Sequence, residues 1–241
     1  QFMSSRVGRS LISAFARYQP DIHFTLKDGD LINHEVDLSA GRRWSTYFAG
    51  EAFDFQQKYE RSVREFQIAG GAFAVSGWSP AFAIYVANGN PVPGLTLRQL
   101  DGIFGGPRRG GWVSTVWRRQ AGRGADENIR NWSQLGVTGA CAGKPIHVFV
   151  PPLKYHTMSV FERKVLVGGN MWNDDAREIP LTLGKDGRRS QPERDRVAAA
   201  VRDGCGIAFG RPGLAVPGAR MIPIAARAGQ PFVMPTLSTV Q

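Results

Sequence analysis

A chain of 241 residues suits one large domain or two small ones, and a hydrophobic share of 42% excludes wholesale disorder and permits a sizeable core. No apolar run approaches the roughly 20 residues of a membrane-spanning helix; the longest candidates, such as FAIYVA at 82–87, are strand-sized. The formal net charge is +10, with 24 Arg against 6 Lys, which fits small anions, nucleic acid or an acidic membrane surface, and which a genome rich in Arg codons produces equally well.

In chain order, SSRVGRSLISAFARY (4–18) places Val7, Leu11, Ile12, Phe15 and Tyr18 at helical spacing. Ser4 or Ser5 supplies an N-cap oxygen for the free N–H groups of the first turn, and Gln19-Pro20 ends the helix. IHFTL reads as a strand, EVDLSAGRRW as a short apolar piece ending at Asp37 and Ser39, GEAFDFQQKYER as a helix, and REFQIAGGAF as a strand running into glycines. AFAIYVANGNP is a strand with Phe82, Ile84 and Val86 on one face, stopped by Asn88-Gly89-Asn90-Pro91. Thr96 then caps a helix whose apolar face is Leu97, Leu100, Ile103 and Phe104.

Residues 105–125 are rich in Gly and Arg and read as a long surface loop. NIRNWSQLG is a short helical piece, KPIHVFV a strand and 157–168 a helix. DRVAAAVRDGCGIAFG is helix, glycine turn and strand, and the tail from 211 is rich in Pro and Gly. Helices and strands alternate, which argues for an α/β architecture with largely parallel sheets.

Two helix starts invite an anion: Ser4-Ser5-Arg6 and Lys154-Tyr155-His156-Thr157. A helix N-terminus offers free N–H donors and partial positive charge, to which hydroxyls and cations add. Ordinary capping explains the same residues. The histidines at 23, 34, 147 and 156 have no metal-ligand spacing, so no metal and no cofactor are expected, and His147 reads as structural. Asp174-Asp175 read as solvated. No nucleophile elbow or phosphate loop of the nucleotide-binding type is present, so catalysis is not expected. Arg108-Arg109 and Arg118-Arg119 with Trp112 and Trp117 are a combination able to bind nucleic acid, or else a solvated insertion. Cys141 and Cys205 are either one disulfide in an exported protein or two buried thiols.

Several stretches taken in order resemble a known family. ANGNPVPGLTLRQLDGIFGG (87–106), then NWSQLG and GKPIHVF, are similar to the middle of the PstS-like phosphate-binding proteins of bacterial ABC importers, which are type 2 periplasmic binding proteins. MSSRVGRSLISAFARYQPDIHF is similar to the family's first phosphate loop and helix, EVDLSAGR to the segment with a phosphate-contacting Asp, and VRDGCGIAF to a late strand. There are departures. Lys154-Tyr155-His156-Thr157 lacks the usual Ser-Gly pair, Arg6 replaces a Thr, and a Gly-Ser segment before EVDL is missing. A larger or differently charged anion, or a weakened site, fits these departures, and His156 would make binding pH-dependent if it contacts the anion.

The resemblance implies a two-lobed α/β fold with a ligand cleft between the lobes. Lobe one would be 1–82 completed by 226–241, and lobe two 83–225. The implied ligand residues are Ser4, Ser5, Arg6, Asp37, Ser39, Lys154, His156 and Thr157. The implied function is extracytoplasmic binding of phosphate or a related oxyanion, not catalysis, for an ABC-importer permease or a sensing system. No membrane insertion is expected, and a native chain longer at both ends is. The alternative is a basic nucleic-acid-binding protein using 105–125.

Overall fold

The computed structural model describes residues 6–23, 81–113, 116–153, 159–167, 171–180 and 192–239. The chain divides into two compact units, Gln1–Ile68 and Ala69–Gln241. In the first, helix α1 spans Arg6–Tyr18 with Arg17 in its last turn, where a cation complements the helix dipole. The Gln19 N–H donates to the Phe15 carbonyl at 2.9 Å, and Pro20 stops the helix as expected. The strands and helix anticipated between 24 and 80 lie outside the described residues.

The second unit is built on a five-stranded sheet. Strand β1 (Ala83–Ala87) is followed by β2 (Leu95–Thr96), helix α2 (Leu97–Phe104), β3 (Gly111–Val113), β4 (Val116–Arg118) and β5 (Val148–Val150). Helix α3 (Ser159–Lys164), β6 (Arg177–Glu178), helix α4 (Pro192–Asp203), β7 (Ile207–Gly210), β8 (Ala219–Ile222) and β9 (Ile224–Ala225) complete it. The strand order is β6-β5-β7-β1-β8. β5 is parallel to β6 and β7, whereas β1 is antiparallel to both β7 and β8. The sheet is therefore mixed, not largely parallel. Helix α3 lies between β5 and β6 in the chain and α4 between β6 and β7, and such crossovers return the chain in the same direction. No crossover joins β1 to β7, so nothing forces them parallel.

Both faces of β1 are buried, in line with its continuous apolar run. Ile84, Val86, Val148, Val150, Ile207, Phe209 and Ile222 share one core with Leu100, Ile103 and Phe104 of α2. Ala83, Tyr85, Phe149 and Ala208 face Val197 and Ala200 of α4 on the other side. The alternation follows from the two-residue period of a strand. The Tyr85 hydroxyl donates to the Arg211 carbonyl at 2.8 Å and accepts from the Leu214 N–H at 3.0 Å.

Helix α2 starts as anticipated. Thr96 Oγ1 accepts from the Gln99 N–H at 3.1 Å, and Gln99 Oε1 accepts from the Thr96 N–H at 2.8 Å, a reciprocal capping box. The glycine turn after α4 also has a physical reason. Gly204 adopts φ of +81°, and a Cβ on Gly206 would come within 2.7 Å of the Phe149 ring. Cys141 and Cys205 form a disulfide, with Cα atoms 5.6 Å apart and a separation of 64 positions in sequence. Loop-closure entropy for a span of that length is worth about 4 kcal/mol. The buried Trp132 donates from Nε1 to the Cys205 carbonyl at 2.7 Å. Among the described residues no helix is long and apolar enough to cross a membrane.

Candidate functional site

Of the ligand residues read from the sequence, Ser4, Ser5, Asp37, Ser39, Lys154, His156 and Thr157 lie outside the described residues, and Arg6 is described only as the first residue of α1. What is described is the frame around residues 154–158, where the sequence reading places its second anion loop. Strand β5 leads into Pro151, Pro152 and Leu153, and α3 begins at Ser159. Ligands of open parallel sheets gather at the carboxyl ends of the strands. The carboxyl ends of β5, β6 and β7 share one edge, and antiparallel β1 begins there. The Leu153 N–H donates to Glu178 Oε2, just past that edge, at 3.1 Å.

Aromatic stacking holds the helix that follows. The buried Phe161 lies 4.3 Å, centroid to centroid, from Phe209 and 5.4 Å from Trp172, both stacked. Phe82 and Phe104 approach it at 5.0 Å each, tilted or edge-on. Trp172 Nε1 donates to Glu162 Oε1 at 2.9 Å. Such rings bring a large buried area and preferred geometries, so α3 is fixed on the sheet by packing. The helix, Ser159–Lys164, ends before residues 165–167, which the 157–168 span read from spacing includes. Val167 has φ of +53°, a left-handed conformation that a continuing helix cannot contain.

The segment 105–125 differs from its sequence reading. It is not simply a solvated loop. Its foot is a buried ion cluster on Asp101 of α2. Arg108 donates from Nη1 and Nη2 to the two Asp101 carboxylate oxygens at 2.6 and 2.7 Å. Arg123 Nε lies 3.4 Å from Asp101 Oδ2 without hydrogen-bonding geometry, while Nη1 and Nη2 donate to Asn128 Oδ1 at 2.6 Å and the Gly106 carbonyl at 2.8 Å. The backbones of Arg108 and Arg123 exchange two hydrogen bonds of 2.9 Å. Burial pushes the Arg123 guanidinium below its ordinary range; Asp101 opposes that shift and Arg108 adds to it. Arg130 closes the end of α2, donating to the carbonyls of Gly102 at 2.6 Å and Gly105 at 2.9 Å. Spacing carried a signal for this cluster. Asp101 sits four residues after Leu97 and three before Phe104, on the apolar stripe, where an acid must find a cation.

Beyond this foot, β3 and β4 pair antiparallel, with Val113 opposite Val116 and Gly111 opposite Arg118. A cavity of about 430 Å³ at the base is lined by Pro107, Arg108, Arg109, Arg123 and Gly124. The nucleic-acid reading loses support, because Arg108, one of the four arginines named for it, is committed to Asp101 in the interior. His147 falls one residue before β5 rather than within a strand, and its Nδ1 lies 2.7 Å from Asp203 Oδ2, with Arg177 Nη1 3.5 Å from the same oxygen.

No family model matches the chain. Over 90 residues, 37% of this chain, it is 31% identical to the phosphate-binding protein PstS of Pseudomonas aeruginosa, in each of two strains. That stretch is 24% of PstS, so the chain spans about a quarter of the length of the curated relatives it matches. Among solved structures it is similar to a possible phosphate binding protein from Planctomyces limnophilus, with a TM-score of 0.52 and 13% identity, covering 97% of this chain and 70% of that one. An ABC-type phosphate transport receptor from Vibrio cholerae aligns with a TM-score of 0.48 and 16% identity, over 91% of this chain and 72% of that one. The chain thus has an α/β fold like that of the possible phosphate binding protein from Planctomyces limnophilus, and over 90 residues it is similar in sequence to the phosphate-binding protein PstS.

Proposed function

We propose that the protein is an extracytoplasmic solute-binding protein for phosphate or a related oxyanion, serving an ABC importer or a sensing system and carrying out no catalysis. The proposed ligand residues are Ser4, Ser5, Arg6, Asp37 and Ser39 in a first lobe, 1–82 completed by 226–241, and Lys154, His156 and Thr157 in a second, 83–225. One observation carries the reading. The chain between Leu153 and Ser159 leaves the carboxyl end of a parallel strand and enters a helix whose position an aromatic stack fixes. Such a junction presents N–H donors to an anion, and hydroxyl and cationic side chains are the residue types that complete its shell. The sequence likeness to PstS supports phosphate as the first ligand to try. The disulfide supports an oxidising compartment.

The test is calorimetric titration with phosphate, sulfate, arsenate and a phosphonate at two pH values. One-to-one phosphate binding, weakened at least tenfold in Ser5→Ala and in Thr157→Ala with the fold retained, is expected. Parent-like binding in both variants would discard the site. Absence of heat with every oxyanion would discard the ligand class.

A further inference from the structure

We propose that the β3–β4 hairpin is a docking surface for anionic phospholipid bilayers. This goes beyond the oxyanion site and does not depend on it. Val113 and Val116 are a direct cross-strand pair, 48% and 46% exposed, where paired apolar residues of a hairpin are ordinarily covered. Trp117, on the opposite face, is 51% exposed. Its ring lies on Gly110, where an added Cβ would come within 2.7 Å of it, so the indole is held in place with half its surface outward.

The charge around this patch is of one sign. Residues 102–125 contain five arginines and no Asp or Glu. Arg108 and Arg123 are taken up by Asp101 in the interior, which leaves Arg109, Arg118 and Arg119 at the surface. Arg118 shares the strand face of the valine pair. The acids that flank this stretch in sequence are Asp101, taken up by Arg108 and Arg123, and Asp126 and Glu127, of which Glu127 is bound to Arg98. One face of the hairpin therefore offers the valine pair to the acyl boundary and Arg118 to anionic headgroups, Arg109 and Arg119 add surface charge, and the indole of Trp117 lies on the other face. Single-stranded nucleic acid would use the Trp117 indole and the cations but would leave the exposed valine pair without a partner.

The experiment is co-sedimentation of the purified chain with vesicles of phosphatidylcholine alone and of phosphatidylcholine with phosphatidylglycerol, at low and high salt. Binding is expected to the anionic vesicles only and to weaken with salt. Arg118→Gln with Arg119→Gln should lower partitioning by about 25-fold, at roughly fivefold per charge. Val113→Ser with Val116→Ser should lower it at low salt, where the charges still act. All four positions are exposed, and circular dichroism checks that each variant is folded. Three outcomes would overturn the proposal: no association with anionic vesicles, association that both double variants leave unchanged, or displacement from vesicles by a single-stranded oligonucleotide.

Discussion

The two ends of β5 and α2 are secured in opposite ways. At the carboxyl end of β5, five aromatic rings hold α3 to the sheet, and the contacts are apolar and close-packed. At the carboxyl end of α2, one buried carboxylate gathers two buried guanidinium groups, and the contacts are few and charged. The apolar stack holds through close packing of uncharged rings, with the Trp172 indole N–H tied to the Glu162 carboxylate at its edge. The ion cluster is stable only as a set, since any member left alone is an uncompensated charge in the interior. A region where chain direction must be held without charge, beside a proposed anion site, uses the first. A loop that carries excess cations out to solvent uses the second to anchor its base.

The largest expected effect tests the charged end. Asp101→Ala leaves Arg108 and Arg123 facing one another in the interior and should cost about 5 kcal/mol in a urea denaturation experiment. A cost below about 1 kcal/mol would erase the contrast, because it would show the cluster to be replaceable by solvent. Phe161→Ala tests the apolar end. Loss of its stacking partners and the cavity left behind should cost about 4 kcal/mol, with weaker oxyanion binding in titration as α3 loosens. Unchanged stability would show that the rings fill space without fixing the helix.

The smallest effect concerns Tyr85, a polar group inside the sheet's second core. Tyr85→Phe should cost about 1 kcal/mol near neutrality, since the Leu214 N–H and Arg211 carbonyl lose a partner. Burial, chiefly, raises the Tyr85 pKa above its ordinary value; the Leu214 hydrogen bond and Arg211 oppose this, and Glu193 adds to it. The folded state thus keeps the phenol proton longer than the unfolded chain does. The stabilisation is complete below the unfolded value near 10 and is lost as pH rises toward the folded pKa. Denaturation midpoints of the parent and variant should therefore converge as pH rises past about 10. A gap that widens would reverse the sign.

Much of the second unit was legible before any coordinates. The strand around Ile84 and Val86, the Thr96 cap, the helix face of Leu100, Ile103 and Phe104, and the glycine turn before β7 all have local causes. Other features did not. The direction of β1 among its neighbours was misread because alternation of elements reports order along the chain and not pairing in space. The 105–125 segment reads as solvated in the sequence because its five arginines have no acid among them, only acids that flank the segment. Its acid, Asp101, sits on a helix already assigned to the core.

By itself, then, the sequence determined the residues able to cap, turn and alternate, the excess of arginine, and the resemblance to PstS-like proteins. These depend on side-chain chemistry and on contacts within a few residues. Only the tertiary structure decided which arginines are interior and which reach solvent, that Cys141 meets Cys205, and that Phe161 joins a stack with Trp172 and Phe209. Those outcomes rest on meetings between residues distant in the chain. Burial, which sets whether a charge is an anchor or a docking group, exists only once such meetings have formed.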